Sequence, residues 1–374
     1  MIPWIIFGCT VLGILWLGRL QLPWLQRFFD WVPSILLAYL IPALVCGLLG
    51  WNFSEDPIHS WSRNLFIPLA IVTTMSSLSL SKLKAVGWRP LLLFFSGSAW
   101  IALFPLAALG FYQLWAPGEF LFAQPDYWLG VPPIVGSWIG GSTSQLVLKE
   151  LARCPEGIFL SVLVLDALLV NLWTILMFQC IRRSDAINAW LGIRESAPPA
   201  EVDQAPGDQA NRLLTLLVVA GAILLLHTLA DRFALQVVAL SLLGLLLGNT
   251  IRSWDRGFAL RVGGVTILCV MAILGFRLRI EALSFSPDFF WFLVVWLVGH
   301  FAVMLTLARV LNVHVAWVPI ASMANVGGIA TAPAVTAAYR KAWMPHAVLL
   351  AILSMATGTF WGMLTLEVLT RMLE

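Results

Sequence analysis

Three groups of residues in this chain have types and spacing that could hold a solute or an ion. Gly140-Gly141 is followed at once by Ser142, Thr143, Ser144 and Gln145, giving three hydroxyls and an amide inside an apolar stretch. Asn325 stands two residues before Gly327-Gly328, and Thr331 and Pro333 follow that pair. Glycine and proline weaken a helix in an apolar run and leave backbone groups unpaired. Free N–H groups at a half-helix start favour an anion, and free carbonyls at a half-helix end favour a cation. The third group is a lone carboxylate, Asp166, in a span that starts near Gly157. At 1.5 Å per residue it lies about 14 Å in, near the middle of a hydrocarbon core about 30 Å thick. A carboxylate there costs at least a few kcal/mol and is retained to bind a cation or proton, or to pair internally. Its sequence neighbours Val162, Ala167 and Leu169 are apolar. With no Lys or Arg in either glycine segment, the donors suit a small polar or anionic solute. Sodium or protons would supply the gradient, with Asp166 as the place for a sodium ion and no other cofactor expected. This is binding chemistry rather than bond-making: the chain has no HExxH, no GxSxG and no acidic pair at helical spacing, so no enzyme is expected.

The elements that would position these residues are duplicated. Val131 to Gly141 (VPPIVGSWIGG) reappears without a gap as Val318 to Gly328 (VPIASMANVGG), 187 residues on. Each copy has Pro near the start of an apolar segment and Gly-Gly in its middle. Matching interrupted segments in two halves are the sequence sign of a transporter built from repeats, with its site where the broken helices meet. Two half-helices joined by an extended stretch are therefore expected at each glycine pair, crossing near the centre. The competing reading is close helix packing through small residues, as Gly244 to Gly248 and Gly358 to Gly362 also suggest. In the second half, the region equivalent to Asp166, Ser354 to Thr359, is polar but uncharged.

Composition places the whole in a membrane: 60% of residues are hydrophobic, 11% are charged and the mean hydropathy is +0.90, against roughly 25% charge in a soluble domain. An all-α polytopic protein of about 10–12 spans is predicted, with a first membrane repeat over 1–182, a polar linker over 183–211 and a second repeat over 212–374. The linker contains SAPPAEVDQAPGDQAN. The first segment lacks the basic start and cleavage site of a signal peptide, so it is expected to remain in the mature chain. Net charge is +3 with no basic run, which excludes nucleic acid as a partner and leaves the bilayer and the solute or ion, with a homodimer also open. The five cysteines form no CxxC pair and read as small buried hydrophobes. Lys82, Lys84 and Arg89 make the clearest basic loop, while the next loop carries Glu119 and Asp126, so the former is placed on the cytoplasmic side. Arg252, Arg256 and Arg261 and then Arg277 and Arg279 lie on successive loops and do not settle the second half. Counting spans leaves both parallel and inverted repeats open. His227 and His300 fall within apolar spans, where a hydrogen-bonded core role and a proton relay are the alternatives.

The runs Gly136-Ser-Trp-Ile-Gly-Gly-Ser142 and Ala324-Asn-Val-Gly-Gly-Ile-Ala-Thr-Ala-Pro333 resemble the two signature segments of the domain of unknown function 819 family of membrane proteins. The likeness extends over most of the chain and includes Asp166. It implies kinship with the cation/proton antiporter and anion transporter superfamily, hence inverted repeats with crossed broken helices, a plasma (bacterial inner) membrane location and secondary transport by symport or antiport. The chain departs from the family pattern where Thr143, Ser144 and Gln145 stand in place of Asn after Gly-Gly-Ser, and where Ala167 replaces the Asn that often follows the Asp. Channel, intramembrane enzyme and scaffold are the other classes open to such a sequence. A channel reading lacks a repeated filter motif.

Overall fold

A computed structural model describes residues 1–20, 22–32, 34–116, 122, 125–193, 211–229, 233–278 and 286–373. Their α-helices are, in chain order, α1 Ile2–Leu17, α2 Pro23–Trp31, α3 Ser34–Leu49, α4 Ile58–Trp61, α5 Ile67–Met75, α6 Trp88–Trp115, α7 Val131–Leu151 and α8 Glu156–Arg182. There follow α9 Ser184–Trp190, α10 Arg212–Leu229, α11 Phe233–Thr250, α12 Arg256–Leu274, α13 Pro287–Val310, α14 Trp317–Val326, α15 Gly328–Ala337 and α16 Met344–Leu373. No strand occurs among the described residues. Among the described residues, five stretches are long and apolar enough to cross a membrane: 88–115, 156–182, 256–277, 287–310 and 341–373. Hydrocarbon offers no water to pair a backbone, and helices meet that constraint within themselves. The protein is thus an all-α, polytopic membrane protein.

The chain forms two compact units, and each draws on both halves of the sequence. The first comprises Met1–Ser77, Arg153–Asn171 and Gln209–Phe285. In it α5 packs against α11 and α12, and α3 lies against α1 and α12. Small residues set these distances: Gly244 faces the backbone of Val72, Gly248 that of Ser76, and Gly263 the hydroxyls of Thr73 and Thr74. Here the close-packing reading of Gly244 to Gly248 holds. Asp255 caps α12 by accepting from the Phe258 N–H at 2.8 Å, which satisfies one of the free amides of its first turn. The fully buried Tyr39 donates to Glu156 at 2.5 Å, so Glu156 is engaged inside its unit.

The second unit comprises Leu78–Ala152, Leu172–Asp208 and Ser286–Glu374. Here α7 packs along α16, α14 and α15 pack against α16, and α6 lies against α13, α14 and α16. The polar stretch read as a linker is not uniformly so, because residues 184–190 form α9. Asn188 accepts from the Val315 N–H at 3.1 Å, and Asp185 lies 3.2 Å from His314 Nε2 and accepts from the Tyr339 hydroxyl at 3.1 Å. The α9 helix therefore braces the turn that enters α14. Burial, followed by the neighbouring Asp185 carboxylate, pushes the Tyr339 hydroxyl above its ordinary pKa. The rest of that stretch, 194–210, lies outside the described residues, as do Glu119, Arg279 and the side chain of His227.

Candidate functional site in the second unit

Both glycine pairs break their helices, and both breaks belong to the second unit. Gly141 has φ 69° and ψ −166° in the middle of α7; Gly328, at the equivalent place, has φ 67°. Gly327 separates α14 from α15. Positive φ is a conformation that glycine adopts without a steric penalty. The extended connecting stretch expected from the sequence is not found. One glycine of each pair reverses its backbone torsion and the helix resumes at the next residue or two, so the breaks are hinges rather than unwound segments.

The other member of each pair supplies space. A Cβ on Gly140 would meet the Ser144 side chain and, at 2.9 Å, the Cα of Gly358 on α16; a Cβ on Gly358 would run into the Gly140 backbone. Gly362 similarly abuts Leu148. The first break thus lies against α16, and the small-residue reading of Gly358 and Gly362 is right for these contacts. Gly327 is instead enclosed by Thr331 and Met323 from its own segment. The atoms that a Cβ on either glycine pair would meet thus do not include the other pair, although α14 and α15 both pack against α7.

Side-chain polarity converges on Asn325, which is 1% exposed. Its Oδ1 accepts from Ser98 at 3.0 Å and from Ser354 at 2.9 Å, and its Nδ2 donates to the Phe94 carbonyl at 3.3 Å. Ser354 also reaches the carbonyl of Ile139, in the last turn before the Gly141 hinge. A hydroxyl has one hydrogen, so Ser354 donates to Ile139 or to Asn325 but not to both at once. Thr359 donates to Ser144 at 2.9 Å. The uncharged stretch Ser354 to Thr359 thus binds the first break to the Asn325 hub.

The remaining predicted residues fall as follows. Thr143 and Gln145 are buried beside Ser144, and Ser142 is half-buried at the hinge. Thr331 follows the second hinge, and its Oγ1 is buried without a hydrogen-bond partner among the described residues. Pro333 sits inside α15. Asp166 is buried at 9% exposure on α8, but in the first unit. The structure therefore brings Gly140, Gly141, Ser144, Asn325, Gly327, Gly328 and Thr331 into one unit and leaves Asp166 in the other.

Sequence reasoning missed several residues of this region. Ser98 and Gly97 lie on α6, where Ser96-Gly97-Ser98 is the lone polar interruption of a long apolar run. Ser322, one turn before Asn325, accepts from Trp173 Nε1 at 2.9 Å and lies 3.1 Å from His300 Nε2. Lys149 is buried at the end of α7 and pairs with Glu150 at 2.9 Å, so the first broken helix does carry a cation, just beyond its signature.

Against this geometry, the family described as "Protein of unknown function (DUF819)" matches residues 5–372, nearly the whole length. The chain belongs to the DUF819 family. No curated protein matches it. Membership of DUF819 agrees with the two signature segments read from the sequence, and the hinges and the Asn325 hub are what those segments build in this member.

Proposed function

We propose that this DUF819 protein is a secondary active transporter, working by alternating access, that moves a small polar or anionic solute coupled to sodium or protons. The observation that carries the reading is the pair of glycine hinges, φ 69° at Gly141 and 67° at Gly328, at equivalent positions of a duplicated segment. Around them lie neutral hydroxyl and amide groups. Hinged helices at matching positions supply free N–H and C=O groups that hold a solute and an ion without fixed charge. Ser142, Thr143, Gln145 and the unpartnered Thr331 hydroxyl are the groups assigned to the solute. In the other unit, Asp166 is assigned to the coupling cation. The halves are taken as inverted repeats, with kinship to the cation/proton antiporter and anion transporter superfamily, and the setting as a bacterial inner membrane.

The test is uptake into vesicles holding the purified full chain, across organic anions, amino acids and simple cations, with imposed sodium or proton gradients. Accumulation of a solute only when a cation gradient is present is the expected result. Exchange of cations for protons with no organic solute would instead favour an antiporter. Flux that never exceeds the solute's own gradient would point to a channel. Asp166→Asn keeps shape and removes the counter-charge, so gradient-driven uptake should fall at least tenfold with folding intact. Unchanged uptake at every pH would make that carboxylate structural.

A further inference from the structure

The second unit holds a buried ionisable group that the coupling assignment above does not use. His300 lies at the middle of α13, fully buried. Its Nε2 is 3.1 Å from Ser322 Oγ, the atom that accepts the Trp173 indole N–H at 2.9 Å. Its Nδ1 has no hydrogen-bond partner among the described residues. The ring meets the Asn325 hub at Gly97: a Cβ there would lie 2.9 Å from His300 Cε1 and 3.3 Å from Asn325 Nδ2. Two networks, one ionisable and one neutral, therefore share the wall that this glycine forms.

Among the described residues, no charged side chain is recorded in contact with the ring. In α6 the ionisable side chains are Arg89 and Tyr112, near its two ends; α14 and α15 have none. Within α13 itself, Asp288 and Arg309 lie at the termini, and α8 carries Glu156 and Asp166 before Trp173 and Cys180 and Arg182 after it. Lys149 and Glu150 close α7, while α16 carries His346 at its start and Glu367 and Arg371 in its last turns. The groups packed on the ring from other helices are Ser322, Trp173 and Gly97.

We infer that His300 is a proton-binding site of the second unit, distinct from Asp166, whose occupancy is tied to the state of the Asn325 hub. The inference rests on the transporter reading and adds to it a proton bound in the second unit. Protonated imidazole has two N–H donors, and neutral imidazole has one donor and one acceptor. In the observed arrangement Nε2 has Ser322 and the Gly97 carbonyl is the acceptor beside the ring, while Nδ1 makes no well-aligned hydrogen bond among the described residues. The neutral ring is accommodated here, whereas a cation would bury an unpaired donor as well as a charge. Proton uptake thus requires that the Gly97 carbonyl close on the ring, and the other side of this glycine lies against Asn325 Nδ2, which donates to the Phe94 carbonyl, so the shift is felt in the hub. Reorganising the hub and protonating His300 become two aspects of one transition. Release of the proton restores the arrangement seen here.

Solid-supported membrane electrophysiology of full-length protein in liposomes tests this without knowing the solute. A jump from pH 8 to pH 5 drives protons onto accessible sites and produces a transient current. The expected pattern is a transient in the parent and its loss, at least fivefold in integrated charge, in His300→Gln. Ser322→Ala keeps the ring but removes its Nε2 partner and should move the pH midpoint of the transient; an unchanged midpoint overturns the proposal and also covers the case in which His300→Gln fails to fold. A transient kept in His300→Gln overturns the His300 assignment and leaves the transporter reading standing. No transient in the parent, with solute uptake present, overturns proton binding alone; absence of both removes the two readings together.

Discussion

The two hinges have nearly the same backbone and different surroundings. Gly141 and Gly328 share positive φ, and the residue before each, Gly140 or Gly327, leaves room for the hydroxyl four positions on, Ser144 or Thr331. Beyond the backbone the copies part. At the position where the second copy has the Asn325 hub, the first has Trp138, whose ring packs on Trp296 with centroids 4.8 Å apart. Ser144 has a partner in Thr359, while the Thr331 hydroxyl has none among the described residues. Duplication has kept what the hinge needs from the main chain and released the side chains to differ. One copy is anchored to α16; the other keeps a free hydroxyl.

The anchoring side of that comparison carries the largest expected effect. Gly358→Ala places a methyl against the Gly140 backbone, which cannot turn aside as a flexible side chain would. Overpacking of this kind costs about 1–3 kcal/mol, towards the upper end where only backbone can give way, so a large drop in thermal unfolding temperature in detergent is expected. Gly264→Ala, in the same type of apolar helix with nothing within 4 Å, is the control and should be silent. Equal effects in the two variants would show that α16 does not fix the first hinge. Asn325→Ala comes next. It strips Ser98 and Ser354 of a shared acceptor and the Phe94 carbonyl of a donor, at a cost of about 1–3 kcal/mol for polar groups left buried. A loss below about 0.5 kcal/mol would mean that Ser98 and Ser354 transfer their bonds to Phe94 and Ile139 without penalty, and that the hub is not a clamp.

What could be read in advance follows the same division. Gly140, Gly141, Gly327 and Gly328 were legible because a backbone need fixes the residue type, and the gapless repeat showed the need twice. The form of the break was not: glycine was expected to open an extended stretch, yet a single residue at positive φ is enough to offset the helix. Asn325 was visible as an amide in an apolar run. Its partners Ser98 and Ser354 come from positions 227 and 29 residues away, and no periodicity within one helix says which neighbour it meets. Ser322 and Trp173 stayed hidden for that reason, and His300 was seen without its partners. The lone Ser96-Gly97-Ser98 interruption in α6 was the unused clue. Asp166 was read correctly as buried, but the division into units mixes the two halves, so closeness in repeat position did not foretell membership of one unit.

The smallest effects are also the ones that separate the two hinges most directly. Ser144→Ala removes the oxygen that accepts from Thr359, and hydrogen bonds between helices in a membrane are worth about 0.6 kcal/mol on average. A modest destabilisation of that size is expected. Thr331→Val is nearly isosteric and removes a hydroxyl that has no partner; replacing an unsatisfied polar group by an apolar one is neutral or stabilising. The stability of Thr331→Val should therefore equal or exceed that of the parent in thermal unfolding. Solute uptake should run the other way, since the unengaged hydroxyl is the one a solute can use without displacing an internal bond. In vesicles, Thr331→Val is expected to raise the solute KM severalfold, and Ser144→Ala to change it less. If Thr331→Val destabilises the fold as much as Ser144→Ala does, its hydroxyl has a partner after all and the asymmetry between the hinges is lost. If stability separates the variants but uptake does not, the hinges differ in packing alone, and the solute is held by backbone groups that both copies share.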